Sequence, residues 1–121
     1  MVIQMIRLIQ RRLVIPRGDT GTFTIPTQGS VEANDVAVFS IYDPLTHLIV
    51  CEKIIPATEN TLTFTFTHDD TVNIEPSDRY QWDIKIYHSP EYDEDHNLIG
   101  GAEINSYYAA FGKKMPKCVI K

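Results

Sequence analysis

Between Ile74 and Ile86 the chain reads Ile-Glu-Pro-Ser-Asp-Arg-Tyr-Gln-Trp-Asp-Ile-Lys-Ile, and from Tyr80 onward it alternates with a period of two. Tyr80, Trp82, Ile84 and Ile86 fall on one face, and Gln81, Asp83, Lys85 and Tyr87 on the other. Successive side chains of a strand point to opposite faces, so this is the pattern of a strand with one side in a core. Aromatic and β-branched residues on the apolar side fit a pleated, half-buried surface. A chain of 121 residues with 43% hydrophobic content can bury a core without disulfides or metal, which makes one domain the default.

Other segments repeat the signal. Thr61 to Thr67 places Leu62, Phe64 and Phe66 against four threonines, and Thr20 to Pro26 places Phe23 and Ile25 against Thr20, Thr22 and Thr24. Val36 to Tyr42 is almost wholly apolar, as in a central strand covered on both faces. Asp43-Pro44 is a turn signal, and Leu48 to Ile55 follows as a hairpin partner closed by Pro56. His68-Asp69-Asp70-Thr71 follows, with room for a single helical turn before Ile74. Ser89 to Asn97 reads as a long acidic loop, Leu98 to Gly101 as a turn, and Tyr107 to Phe111 and Lys117 to Ile120 as the last strands. Ile74, Pro76 and Tyr80 have the spacing of the turn into the penultimate strand of fibronectin-type and immunoglobulin-like domains. There a tyrosine hydroxyl bonds back to the upstream backbone. Tyr80 is therefore expected to form this corner, with Ile74 and Pro76 beside it and Trp82 in the core. The expected fold is all-β, an immunoglobulin-like or fibronectin-like β-sandwich of seven to nine strands.

Residues 3 to 15 fit a strand or a helix. As a helix, Val2, Ile6, Ile9 and Leu13 make a stripe. A long strand with a bend near Arg11 and Arg12 is favoured, because Pro16 and Arg17-Gly18-Asp19 form a turn ahead of the next strand. Residues 1–16 are thus expected to be an N-terminal arm or first strand, and 17–121 a single β-sandwich domain. The arginines and the missing small-residue cleavage site argue against a signal peptide, and the run is too short and charged to span a bilayer, so no membrane partner is expected.

The net charge of −5 is segregated. Arg7, Arg11, Arg12 and Arg17 at one end and Lys113, Lys114, Lys117 and Lys121 at the other lie in acid-free stretches, while all 16 acids fall in residues 18–112. An acidic body argues against nucleic acid, which needs clustered Lys and Arg. Either the ends lie together and balance the body, or one copy's basic end meets the acidic body of the next. The second alternative makes Ile3, Met5, Ile6, Arg7, Ile9, Arg11, Arg12, Lys113, Lys114 and Lys117 an assembly interface, with strand addition to a neighbour's sheet edge.

Signals for chemistry are sparse. Asp93, Asp95 and Asn97 copy the first three ligand positions of a calcium loop, but Leu98 stands where that loop needs glycine and Ile104 where it needs glutamate. They are metal candidates only, and a solvated acidic loop is the better reading. The four histidines are scattered and neither cysteine is in a paired spacing, so no zinc site and no cofactor is expected. Cys51 and Cys118 read as free, buried thiols. No nucleophile elbow or phosphate-cradling loop appears, and no catalytic residue is assigned. Arg17-Gly18-Asp19 is an adhesion tripeptide as a string, but Gly18 and Asp19 also suit a plain turn. Tyr87 and Tyr92, beside the acidic loop, are a candidate ligand surface able to stack on sugar rings.

The succession Ile15-Pro16-Arg17-Gly18-Asp19-Thr20, Val38-Phe39-Ser40-Ile41-Tyr42-Asp43-Pro44, Tyr80 to Tyr87 and Ser106-Tyr107-Tyr108-Ala109-Ala110-Phe111 resembles small proteins encoded in prophages of gut Gram-positive bacteria. It is also similar to the N-terminal domain of phage baseplate upper proteins, where a Gly-Asp-containing strand pairs with a late Tyr-x-x-Asp-Ile strand. The resemblance implies a non-enzymatic virion structural or assembly protein of baseplate, tail, neck or head, made in the bacterial cytoplasm. Its partners would be further copies of itself and other virion proteins. The rival expectation is a host-surface or carbohydrate-binding module that takes a glycan.

Overall fold

The computed structural model describes residues 6–26, 34–57, 60–106 and 116–121, with the backbone alone over 102–106. The elements are β1 (Arg7–Ile9), β2 (Arg12–Ile15), β3 (Gly21–Pro26), β4 (Val36–Asp43), β5 (Leu48–Pro56), β6 (Thr61–Phe66), a single helical turn α1 (His68–Thr71), β7 (Ser77–Tyr92), β8 (Leu98–Ser106) and β9 (Lys117–Ile120). The fold is all-β. Seven strands form one sheet in the order β1-β2-β9-β7-β4-β5, with β8 also on β7, and β3 and β6 form a two-stranded sheet.

The period-two segments set how the sheets meet. In the β3–β6 pair Phe23 stands opposite Phe64 and Ile25 opposite Leu62, and all four are buried. The threonines face out, where the Thr24 and Thr63 hydroxyls bond at 3.1 Å. Phe39 and Ile41 of β4 and Trp82, Ile84 and Ile86 of β7 share the same core. Phe39 is its hub, with ring centroids 6.1 Å from Phe23, 5.4 Å from Phe64 and from Phe66, and 6.2 Å from Trp82.

Tyr80 is buried and its hydroxyl donates to the Glu75 carbonyl, five residues upstream. Ile74 is buried beside this corner and Pro76 is exposed. Arg79 lies over the Tyr80 ring at 4.9 Å and reaches the buried Asp43 carboxylate through Nε and Nη2, both at 2.9 Å. This fork fixes the end of β4 against the start of β7. Hydrogen bonding from Arg79 holds the Asp43 carboxyl down at about 2. A depressed folded pKa means the pair's stabilisation is present above the ordinary carboxylate range and is lost as pH falls from about 4 toward 2.

Two expectations are corrected. The N-terminal stretch does not run on as one bent strand. It reverses at Gln10-Arg11, with Gln10 at φ 48°, so that Leu8 pairs with Leu13 in a β1–β2 hairpin. The Trp82 indole N–H donates to the Arg11 carbonyl at 3.1 Å and fastens the turn to the core. Leu13 and Ile15 of β2 are fully buried. Ser89 to Asn97 is likewise not one loop, because β7 continues to Tyr92 and β8 begins at Leu98, which leaves a short turn between them. Ile3, Met5, Lys113, Lys114 and the strand expected over 107–111 lie outside the described residues.

The described parts of the two ends lie together. β2 pairs β9 in parallel, the Arg17 N–H donates to the Lys121 carbonyl at 2.8 Å, and the Lys121 N–H donates to the Ile15 carbonyl at 3.0 Å. Cys51 on β5 and Cys118 on β9 are free and buried, with β7 and β4 between their strands. Neighbouring strands are already about 4.8 Å apart, so this separation exceeds disulfide reach. Burial pushes the Cys51 thiol up to about 11 and raises Cys118 as well, which keeps both as inert thiols.

Candidate functional site

Both outer strands of the long sheet expose apolar side chains. Leu8 and Ile9 are 36% and 50% exposed on β1, and Leu48, Ile49 and Ile54 are 62%, 56% and 46% exposed on β5. Among the described residues β1 pairs only with β2 and β5 only with β4. An edge strand offers unpaired backbone groups to another strand, and β5, at nine residues, is long for an edge. Its one inward charge, Lys53, is tied to Asp70 of α1 at 3.0 Å.

The β1 side is basic. Val14 lies on the face of β2 opposite to Leu13 and Ile15 and is itself buried, and Arg7 pairs with it on that face. Arg12 and Lys117 precede the paired Leu13 and Cys118 and face the same way. Arg7, Arg12 and Lys117 are exposed, as are Arg11, Arg17 and Lys121 nearby. The described members of the expected assembly interface are therefore brought together, with Ile6 half-buried against the core.

At the opposite end of β7 an arm leaves the body. β4 pairs β7 only as far as Tyr87, while β7 and β8 pair on to Tyr92 and Leu98. The arm is irregular, with register shifts after Ile86, His88 and Glu91, and Ser89 at φ 51°. Gly101 has φ 139°, and a Cβ there would lie 3.1 Å from Pro90 Cα. Its turn is capped by Asp93, whose Oδ1 accepts the backbone N–H groups of Asp95 and Asn97, each at 2.9 Å. Those bonds, led by the one from Asn97, hold the Asp93 carboxyl below its ordinary range. The three calcium-loop candidates thus close a turn, and among the described residues no group of three or more His, Cys, Asp or Glu could hold a metal.

A groove of about 550 Å³ runs at the foot of the arm, lined by Asn34, Asp35, Val36, Pro56, Ser89, Pro90 and Tyr92. The buried Asp35 carboxylate accepts from His88 Nδ1 at 3.0 Å, and the Asp35 carbonyl accepts the Ala57 N–H at 2.8 Å. These bonds join the arm to the start of β4 and the end of β5. Of the two candidate ligand tyrosines, Tyr92 lines the groove and is 48% exposed. Tyr87 is half-buried opposite Val36 and is not part of the lining.

The Arg17-Gly18-Asp19 turn is held inward. The Gly18 N–H donates to Thr71 Oγ1 at 2.9 Å, His68 Nδ1 donates to the Gly18 carbonyl at 2.8 Å, and Asp19 Oδ2 is buried without a hydrogen-bond partner. Arg17 is exposed and Asp19 is half-buried.

The arm, the groove and the Asp35–His88 pair carry no local signature: the paired residues are 53 positions apart. Arg79 and Asp43 were equally silent, although an Arg beside a corner tyrosine and an Asp-Pro turn are recognisable once brought together. No family model, curated protein or solved structure matches this chain.

Proposed function

We propose that this chain is an immunoglobulin-like β-sandwich that works by binding rather than catalysis, as a phage or prophage virion structural or assembly component built from many copies. The observation that carries the reading is that both outer strands of one sheet, β1 flanked by arginines and the nine-residue β5, expose apolar side chains and have no second strand partner among the described residues. Three features support the immunoglobulin-like assignment: a parallel pair between the first body strand and the last, a facing two-stranded sheet, and the Tyr80 corner. The virion assignment rests on the resemblance of the Ile15 to Thr20, Val38 to Pro44 and Tyr80 to Tyr87 segments to prophage proteins.

Removing residues 1–10 takes away β1 and leaves β2 as the edge. The assembly reading expects this truncation to lower the mass in solution to that of a monomer, with the far-ultraviolet spectrum of the body kept. The groove beside Tyr92 favours a second reading, a glycan-binding module. Under that reading the truncated and full chains are both monomers, and both bind sugar in a titration.

A further inference from the structure

Two opposite charge patches on this molecule have no ion-pair partner among the described residues. On the β1–β2–β9 side stand Arg7, Arg12 and Lys117, and on the arm stand Glu91, Glu94 and Asp95, all exposed. Among the described residues none of the six takes part in an ion pair. Each patch also carries exposed apolar side chains, Ile9 at one, opposite Arg12, and Tyr92 and Ile99 at the other.

The fold keeps the patches apart. Gln81 of β7 pairs with Lys117, and Tyr92 lies eleven residues further along the same strand. At about 3.3 Å per residue the arm's end is roughly 35 Å away, several times the screening length of physiological salt. Attraction between them within one molecule is therefore negligible, while between molecules nothing prevents contact.

We infer that the acidic arm of one copy docks on the basic β1–β2–β9 face of the next, with Tyr92 and Ile99 against Ile9. This rests on the assembly reading and names its interface. The partner is a second copy because one chain supplies both complementary surfaces. The contact joins two different surfaces, so it propagates head to tail and gives a ring if the rotation closes or a filament if it does not. The charges set orientation and encounter, and the apolar residues supply the area removed from water. Asp93 is not among the contact charges, since its carboxylate is committed to the turn.

Charge exchange tests this on the full chain. One variant carries Arg7→Glu, Arg12→Glu and Lys117→Glu, and the other Glu91→Lys, Glu94→Lys and Asp95→Lys. All six positions are exposed, so both variants should keep the wild-type melting temperature, which is the folding control. Each alone is expected to raise the concentration needed for assembly by at least about tenfold. Mixed in equal amounts they should assemble again, because each variant's arm then meets a face of opposite charge. A wild type that assembles while both variants assemble equally well overturns this interface and leaves the assembly reading standing. A wild type that stays at 13.8 kDa at every concentration overturns both.

Discussion

Replacing Phe39 with alanine is expected to cost about 3–5 kcal/mol, the range for deleting a fully buried aromatic ring. The size follows from where the ring sits. Phe39 is completely buried in β4 and contacts aromatics from both sheets: Phe23 of β3, Phe64 and Phe66 of β6, and Trp82 of β7. No small movement of one sheet fills the hole, because four rings on three strands would have to shift together. A domain with on the order of 5–15 kcal/mol in total loses much of its reserve. Denaturant unfolding should show a lower midpoint with an unchanged slope. A loss below about 1 kcal/mol would mean that the two sheets are not packed through this ring.

Gly101→Val is expected to act on the arm and spare the body. Gly101 sits at φ 139°, which side chains attached to an L-centre rarely adopt, and its Cβ would meet Pro90 Cα at 3.1 Å and the His88 and Ser89 carbonyls at 3.3 Å. These neighbours are backbone and cannot rotate away. Forcing a side chain into such a region costs about 1–3 kcal/mol, and a β-branched one also suffers the close approach. Beyond Tyr87 the arm is two strands among the described residues, and an isolated pair is marginal in water. Amide exchange over residues 98–106 should therefore speed up while β4 and β6 keep their protection. If the arm is the docking element, assembly weakens in the same variant. Unchanged exchange in β8 would remove the arm's dependence on this glycine.

The sequence was most readable where one segment alone decides its structure. The Thr-Leu-Thr-Phe-Thr-Phe run of β6 has a single sensible burial pattern, and the Tyr80 to Ile86 alternation sets which face of β7 enters the core. Where a feature depends on distant partners, periodicity was silent or misleading. Gln10-Arg11 holds neither glycine nor asparagine, yet the chain turns there because Trp82, 71 residues away, takes the Arg11 carbonyl. Leu98-Ile99-Gly100-Gly101 looks like a turn, but Gly101 is needed for close backbone passage within a bulged strand pair. The groove and the Asp35–His88 pair exist only after β4 and β7 are neighbours. Charge segregation was legible from the start, and the parallel β2–β9 pairing explains why the described basic residues of both ends gather at one side.

The most direct test of assembly through charged sheet edges is the mass in solution by light scattering after size exclusion, at about 50 mM and about 500 mM salt. These bracket the roughly 10 Å screening length of 0.1 M salt, so exposed charge contacts are strong in the first and weak in the second. The account predicts a multiple of 13.8 kDa at low salt that falls toward the monomer at high salt. A monomer of that mass under both conditions, at the highest concentration reached, would contradict it.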